Sequence, residues 1–276
     1  MENSRTLPSQ CRQLARRLRV CTAALALAFP AVLPQVTHAA NPVPPPAPAN
    51  LQVPAGNRAF REGHASGTQD YICLPSGSGG VAWTWVFYGP QATLLDDNDE
   101  QIITHFLSPN PIENGTLRAT WQDSKDTSTV WAKMIASSSD ADFVAAGAIP
   151  WFLLQIVGEQ PGPTNGDTLM GTDFIQRLDT SGGSAPPTGC AQMSDVGNKA
   201  LVPYTADYFF YKAVCGGDCN SDGQVTVDEV VTMVNIALVT EDIAACAVGD
   251  INHDGRITVE EMVKAVDEIL SATNAC

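Results

Sequence analysis

Two segments of twelve residues near the C-terminus carry carboxylate, amide and hydroxyl side chains at a regular spacing. One begins at Asp218 and the other at Asp250, 32 residues later. Calcium is a hard cation that takes six to eight oxygen ligands, and a loop of this length supplies them from positions 1, 3, 5, 7, 9 and 12. Gly223 and Gly255 stand at position 6, where the backbone must turn sharply. The spacing therefore predicts two calcium-binding loops and two Ca²⁺ ions.

Every ligand position of both loops offers an oxygen donor. In the first loop the predicted ligands are Asp218, Asn220, Asp222, the carbonyl of Gln224, Thr226 or a water held by it, and Glu229. In the second loop they are Asp250, Asn252, Asp254, the carbonyl of Arg256, Thr258 and Glu261. Both sets satisfy the pattern of the EF-hand loop. Val225 and Ile257 at position 8 predict a short strand pair between the loops, and His253 stands at a position without a ligand role.

A helix is predicted after each loop, because apolar residues recur at positions i, i+3, i+4, i+7 and i+8. They are Val230, Met233, Val234, Ala237 and Leu238 in the first copy, and Met262, Ala265, Val266, Ile269 and Leu270 in the second. The two apolar faces are expected to pack on one another. Residues 208–217, before the first loop, contain aromatic residues and glycines and do not predict an entering helix.

Tandem loops that are each followed by one helix resemble the type I dockerin module. The resemblance covers residues 218–270, within a predicted C-terminal domain at 215–276. It implies protein docking, with a cohesin-like or other extracellular protein as the partner. Both loops end in Glu, where dockerins commonly have Asp. The Ser-Thr and Lys-Arg pairs of many dockerins are replaced at residues 227–228 and 234–235, so the cohesin contact does not transfer residue by residue.

The N-terminus has the features of an export signal. Arginines precede an apolar run at residues 20–33, and small residues offer a cleavage site after Ala39 or Ala40, so residues 1–40 are interpreted as a signal peptide. The run is shorter than the roughly 20 residues that span a bilayer, so no membrane span is expected in the mature chain. A retained anchor and a twin-arginine signal are alternatives. The prediction is a secreted protein, in the extracellular space, the periplasm or at the cell surface.

The cysteines support an oxidising compartment. The chain has eight, of which Cys11 and Cys21 would leave with the signal. The even number that remains predicts disulfides. Four of these lie in the tail: Cys215, Cys219, Cys246 and Cys276. The expected partition is therefore Cys73 with Cys190 and two bridges within the tail, with a zinc site at the close pair in the tail as the alternative.

The middle of the chain has the pattern of a β domain. Residues 41–50 are rich in proline and predict a stiff linker. Beyond them, short runs alternate apolar and polar residues at period two, as in residues 81–88, where Val81, Trp83, Trp85 and Phe87 share one face. Strands are predicted at residues 71–74, 81–88, 92–95, 102–106, 117–121, 130–135, 174–178 and 208–211. Residues 149–157 fit either a buried strand or a short helix.

The expected fold class is mainly β: an antiparallel β-sandwich or barrel-like domain, followed by the small α-helical tandem EF-hand domain. Several segments carry a further resemblance: LQVPAGN at 51–57, FYGPQA at 87–92, IPWFLL at 149–154, IQRLDTSGGSAP at 175–186 and VPYTADY at 202–208. They are similar to the secreted family catalogued as domain of unknown function 3455, over residues 51–212. The resemblance implies a family and no catalytic residues.

The β domain contains no complete catalytic motif. Its candidate residues are His64, His105, Asp123, Asp173, Arg177 and Asp207. His105 is interpreted as structural in preference to catalytic. Ser66, Ser76 and Ser181 lie near glycines but lack the Gly-x-Ser-x-Gly elbow of a hydrolase. Five tryptophans could form either the core or a stacking platform for sugar rings: Trp83, Trp85, Trp121, Trp131 and Trp151.

Charge limits the classes of partner. The chain has 15 basic and 30 acidic residues and a formal net charge of -15, so nucleic acid is excluded as a partner. The predicted function is a secreted two-module protein that binds calcium through its tail. The tail would serve docking or anchoring, and the β domain would be non-catalytic or of unknown activity. The alternatives are an extracellular enzyme, such as a polysaccharide-active hydrolase, or a carbohydrate-binding module, each with a dockerin tether.

Overall fold

The structure, a computed structural model, describes residues 41–77, 82–220, 223–252 and 254–270. The predicted signal peptide lies outside the described residues. So do Val81, the predicted ligand Asp222, His253 and Cys276.

Eight antiparallel strands form a closed barrel, in which each strand pairs with the next along the chain and the last pairs with the first. The strands are β1 (Asn57–Ser76), β2 (Ala82–Leu95), β3 (Gln101–Asn110), β4 (Thr116–Asp123), β5 (Thr129–Ser138), β6 (Trp151–Gln160), β7 (Thr172–Gly182) and β8 (Lys199–Ala213). Of the two expected architectures, the protein adopts the barrel. Closure pairs every strand on both sides and leaves no sheet edge.

The strand β1 is much longer than predicted. It has 20 residues, of which only residues 71–74 were expected from apolar alternation. Residues 57–70 of this strand are largely polar and include Gly67, where a Cβ would lie 2.0 Å from the backbone oxygen of Gln91 on β2. Glycine is therefore required for the close approach of the two strands, and it interrupts the pattern by which a strand is recognised.

The run at residues 208–211, near the end of β8, is buried on both faces. Tyr208 and Phe210 belong to the cluster inside the barrel. Phe209 and Tyr211 belong to a second cluster, together with Leu51, which the segment before β1 supplies. Both faces of the strand are covered, so all of these aromatic residues are apolar core. Residues 149–157, which fitted a strand or a helix, fall largely in β6 and are strand there.

Three of the five tryptophans are buried, as expected of a core, and two are not. Trp121, Trp131 and Trp151 are buried, whereas Trp83 and Trp85 on β2 are partly exposed. The indole of Trp85 donates a hydrogen bond to the carbonyl of Thr188 at 3.0 Å.

The tail contains two helices, α1 (Val227–Ala237) and α2 (Val259–Leu270), one after each acidic loop, as predicted. Short 3₁₀ segments lie at Ala49–Leu51, Pro111–Glu113, Met193–Asp195 and Ile243–Gly249. The predicted helix face is partly wrong. Met233 and Ala265 are fully buried, but four residues assigned to the packed face are exposed: Val234, Leu238, Val266 and Leu270. The buried cluster of the tail contains Ile236 and Cys246 instead. Fewer of the apolar residues on each helix are therefore buried than the pattern predicted.

Two disulfides join described residues. One links Cys73 of β1 to Cys190 in the segment before β8, and the other links Cys219 to Cys246 within the tail. Cys215 is also disulfide-bonded. The pairing of Cys73 with Cys190 and a bridge inside the tail are confirmed, and Cys215 and Cys219 are not a zinc site.

The proline-rich residues 41–48 form no helix or strand, and Leu51, which follows them, is fully buried. Within the described part of the chain, no helix has the length and apolar character needed to cross a membrane.

Candidate functional site

The first acidic loop lies in the chain between the end of β8 and the first turn of α1. Its last predicted ligand, Glu229, is in the first turn of α1 and forms a capping box with Thr226. One carboxylate oxygen of Glu229 accepts hydrogen bonds from the backbone N–H and the hydroxyl of Thr226 at 2.8 and 3.0 Å. The other accepts the backbone N–H of Asn220 at 3.0 Å. Glu229 is thereby turned back from the helix toward the loop.

The second loop repeats this arrangement. Glu261 accepts the N–H and hydroxyl of Thr258 at 2.8 and 3.0 Å, and the backbone N–H of Asn252 at 3.3 Å. The backbone N–H of the position 6 glycine donates to the position 1 aspartate in both loops. The distance is 3.1 Å from Gly223 to Asp218 and 2.8 Å from Gly255 to Asp250. The sequence repeat is thus a repeat of geometry.

The carboxylates at positions 1 and 12 are buried. Asp218, Glu229, Asp250 and Glu261 are 1%, 5%, 7% and 2% exposed. A buried carboxylate is costly unless a cation or several hydrogen bonds compensate for its lost hydration. Among the described residues, the only basic side chain in an ion pair with any of the four is Arg58, on Asp218. An oxygen-only donor set with more buried negative charge than its protein neighbours neutralise fits a hard divalent cation.

Two of these carboxyl groups have shifted pKa values. Burial raises the pKa of Asp218, helped by the charge of Glu229 and opposed by the Gly223 N–H and by Arg58. Burial also acts to raise the pKa of Glu261, but hydrogen bonds from Thr258 and Asn252 outweigh it, so that this pKa is lowered. Glu261 is therefore held in the charged form that a cation requires.

The other predicted ligands among the described residues are exposed or partly buried. In the second loop, Asp254 donates its backbone N–H to the side-chain oxygens of Asp250 and Asn252 at 3.0 and 2.9 Å. Its own carboxylate accepts the backbone N–H of Arg256 at 3.0 Å. The loop is wound tightly around its acidic side chains. In the first loop Gln224 is exposed. Val225 and Ile257 are buried in one cluster, and no β-bridge joins them within the described residues.

Within the barrel, His64 lies in an acidic cluster. Its Nδ1 is 2.7 Å from a carboxylate oxygen of Asp207 and its Nε2 is 3.1 Å from one of Asp97. The hydrogen bond to Asp207 above all, and then that to Asp97, raises the pKa of His64 to about 9. Ligand atoms of Glu62, His64 and Asp207 lie within 4.8 Å of one another. With its pKa raised, His64 is the cation of an ion-pair network with the carboxylates of Asp207 and Asp97.

Sequence reasoning identified His64 and Asp207 and missed Glu62 and Asp97. Glu62 lies two residues before His64 on β1, so the two side chains share one face of the strand. This could be predicted once the extent of β1 was known. Asp97 belongs to the turn between β2 and β3, and its approach to His64 depends on strand register. No period-two pattern in residues 57–70 pointed to that register.

His105 is structural, in agreement with its interpretation. It is buried, its ring stacks on that of Trp121 with centroids 4.2 Å apart, and its Nδ1 is 2.9 Å from the carbonyl oxygen of Thr120. Burial lowers the pKa of His105 to about 3. The ring is therefore neutral throughout the physiological pH range.

The other candidates do not assemble into a catalytic site. Asp123 is in a buried ion pair with Arg61 at 3.0 Å, and Asp173 accepts the backbone N–H of Ala213 at 3.0 Å. Asp173 makes no ion pair with Arg177, which is buried inside the barrel. Among the described residues, none of Ser66, Ser76 and Ser181 makes a hydrogen bond to a histidine.

Comparison with known proteins identifies the barrel and leaves the tail unassigned. The family model described as "Protein of unknown function (DUF3455)" matches residues 54–212. No dockerin or EF-hand family is found. Searches of the curated proteins and of the solved structures found no match.

Proposed function

The chain belongs to the DUF3455 family through its barrel, and we propose that its function also depends on the tail, as a secreted calcium-binding protein with two EF-hand-type sites. The observation that carries the proposal is the repeated pair of buried carboxylates at positions 1 and 12. Asp218 with Glu229, and Asp250 with Glu261, have the same hydrogen-bonded geometry in both loops. Two Ca²⁺ ions would neutralise these groups.

Calcium would also stabilise the fold of the tail. Its apolar cluster is small, with Met233 and Ala265 as the fully buried members. A small core supplies little stability by itself, so bound metal and disulfides contribute a large share. A ligand present at 100 times its Kd stabilises the folded state by about 2.7 kcal/mol per site. The formal net charge of -15 adds a long-range attraction for cations.

Docking to an extracellular protein is the second part of the proposal, in line with the resemblance to dockerins. The two helices present matching exposed apolar residues: Val227, Val231, Val234 and Leu238, and 32 residues later Val259, Val263, Val266 and Leu270. Such a stripe on each helix is unusual for a surface that stays in water. A partner with an apolar surface flanked by basic groups would fit these helices, which carry acidic residues beside the stripe.

The test for calcium is titration calorimetry on the chain with Glu229→Gln and Glu261→Gln variants. Position 12 supplies both oxygens of one carboxylate, so each change should weaken its own site by at least tenfold. Matched controls are Asp228→Asn and Glu260→Gln, which remove the same charge one residue earlier from exposed side chains. Equal losses at positions 11 and 12, or no calcium heat at millimolar Ca²⁺, would refute the assignment.

The test for docking uses the Val231→Lys and Val263→Lys double variant against a panel of cohesin domains in saturating calcium. The variant should keep both calcium sites and lose the interaction, because Val231 and Val263 are exposed and their replacement leaves the tail core intact. Binding that survives the double change, or that persists after calcium is chelated, would place the docking surface elsewhere.

A further inference from the structure

The barrel contains a cavity of about 80 Å³, and none of its lining residues belongs to the acidic loops of the tail. Its wall combines apolar side chains, among them Leu107, Phe152 and Leu154, with polar ones. The polar side chains are those of Gln69, His105, Arg177, Trp121 and Tyr208. A concave, largely apolar site with a few converging polar groups is the usual form of a small-molecule site.

Arg177 brings a positive charge into this cavity. It is 6% exposed, and one of its terminal nitrogens donates a hydrogen bond to the carbonyl of Pro150 at 2.7 Å. Its guanidinium carbon lies 3.9 Å from the centre of the Phe152 ring, a cation–π contact. Among the described residues no carboxylate forms an ion pair with it. Burying a cation without a counter-ion costs free energy, so a group that compensates the charge of Arg177 is expected.

The hydrogen-bond donors around the cavity are also incomplete. Nε of Arg177, Nε1 of Trp121 and Nε2 of Gln69 are each buried without a partner at hydrogen-bond distance, although Gln69 is close enough to the hydroxyl of Tyr204 to oppose the rise in the pKa of Tyr204 that burial causes. All three belong to side chains that line the cavity, and these side chains are 6%, 1% and 3% exposed. Buried polar groups in folded proteins nearly always have partners, so three unpaired donors around one space indicate an absent acceptor.

His105 contributes no second charge. When its Nδ1–H donates to the carbonyl of Thr120, its Nε2 is left as an acceptor on a neutral ring. Arg177 is thus the one formal charge among the lining side chains. A single negative charge would balance it.

Phe87 lies at the rim of the cavity. This residue lines the cavity and is 48% exposed, so one part of its ring faces inward and another faces water. The register between β1 and β2 shifts at this point, where Asp70 pairs with Gly89 but Tyr71 pairs with Phe87. Bulges of this kind often lie beside functional sites, where they redirect a side chain.

We propose that the barrel binds a small organic carboxylate, with its head group on Arg177, Trp121 and Gln69 and its short apolar tail against Leu107, Phe152 and Leu154. A carboxylate accepts the bidentate or forked hydrogen bonds that a guanidinium offers, and it supplies the missing negative charge. The volume of about 80 Å³ accommodates on the order of five or six non-hydrogen atoms. This site is independent of calcium binding by the tail.

The first experiment compares butyrate with butyramide on the full chain. The two probes have the same shape and differ in charge. Side-chain N–H signals of Trp121 and Arg177 would be followed by ¹⁵N NMR during titration. Butyrate should give saturable shifts with a Kd of about 5 mM or below. Butyramide should bind at least tenfold more weakly. Absence of saturation at 20 mM butyrate, or equal binding of the amide, overturns the proposal without any variant.

The second experiment locates the site. Arg177→Gln removes the charge and should weaken butyrate at least tenfold, while Leu107→Trp should block the cavity from its partly exposed rim. Arg118→Gln is the control, because Arg118 pairs with Glu113 and does not line the cavity. If Arg177→Gln does not fold, Leu107→Trp decides. Butyrate affinity that is unchanged in the folded variants shows that binding occurs elsewhere and refutes the assignment.

Discussion

The guanidinium of Arg58, on the first strand of the barrel, lies 3.4 Å from the carboxylate of Asp218, measured from Nη2 to Oδ2. Asp218 is the first predicted ligand of the first loop, and its side chain is almost completely buried. A positively charged side chain of the barrel therefore already contacts a carboxylate that we propose as a calcium ligand. The second loop has no such contact among the described residues, so the two loops, alike in sequence, differ in their electrostatic surroundings.

This contact predicts that Arg58→Gln tightens calcium binding at the first loop. Removing a positive charge beside a ligand favours the divalent ion, and the energy of a partly exposed pair corresponds to about two- to fivefold in affinity. Calorimetry at low ionic strength should show the change at one site only, and added salt should reduce it. Weaker binding in the variant would instead mean that Arg58 holds Asp218 in position.

The role of Arg58 could not be predicted from the sequence, although the loops could. Ligand types, glycines and spacing are local, and they identified both loops and the helices after them. The Arg58 contact joins residues 160 positions apart and depends on how the barrel is closed. The exposed stripe on α1 and α2 was misassigned for a similar reason: the apolar period identifies a helix face, but not how much of that face finds a partner.

A second prediction concerns pH and uses two histidines as mutual controls. His64 should titrate near pH 9 in NMR spectra, and His105 should stay neutral down to about pH 3. Asp207→Asn should return the pKa of His64 toward the ordinary value near 6.5, because the hydrogen bond to Asp207 is the main cause of the shift. The pKa of His105 should not respond. A normal pKa for His64 in the unsubstituted chain would contradict this ion-pair network.

The raised pKa of His64 also determines how the free energy of unfolding depends on pH. The folded pKa of His64 lies above its unfolded value, so its contribution is complete below about pH 6.5 and is lost as pH rises through about 9. Denaturant unfolding at pH 6.5 and pH 9.5 should show this loss, and the loss should be smaller in Asp207→Asn. An equal pH dependence in the two chains would assign the effect to other groups.

The third prediction concerns the bridge between Cys73 and Cys190, which are 117 residues apart in sequence. Closing a loop of this length restricts the unfolded chain by about 4 to 5 kcal/mol. Replacing both cysteines by serine should lower the Tm of the barrel by roughly 10 to 20 °C. The pair Cys219 and Cys246 is the control, because its loss should affect the tail and leave the barrel transition in place. Thiol labelling of the denatured, unreduced mature chain should give no adduct.

The residues of the proposed carboxylate site in the barrel differ in how far the sequence predicted them. Arg177 and His105 were candidates from their type alone, and the structure brings both to one cavity. Gln69 was not assigned to a site, because a glutamine in a polar stretch carries no signal by itself. Trp121 was considered only as core or as part of a stacking platform for sugar rings. Both residues enter the proposed site because their side-chain nitrogens are buried without hydrogen-bond partners. That depends on how side chains pack between strands that are distant in sequence.

The last prediction is that the two proposed calcium loops are coupled through their apolar residues at position 8. Val225 and Ile257 are buried in the same cluster, together with Met233 of α1. Loss of calcium from one loop would loosen this shared packing and with it the other loop. Glu261→Gln should therefore weaken the first loop as well, by about two- to fivefold, which is less than its effect on its own site.

A truncated side chain separates packing from charge in this coupling. Ile257→Val removes one methyl group, keeps every ligand, and should reduce the cross-effect at a cost of about 0.5 to 1.5 kcal/mol in tail stability. Val259→Ala is the control, because Val259 is exposed and lies outside the cluster. Calorimetry on each single variant and on its combination with Glu261→Gln would measure the coupling. If the first site binds calcium equally well with and without Glu261→Gln, the loops act as independent sites, and Val225 and Ile257 serve packing alone.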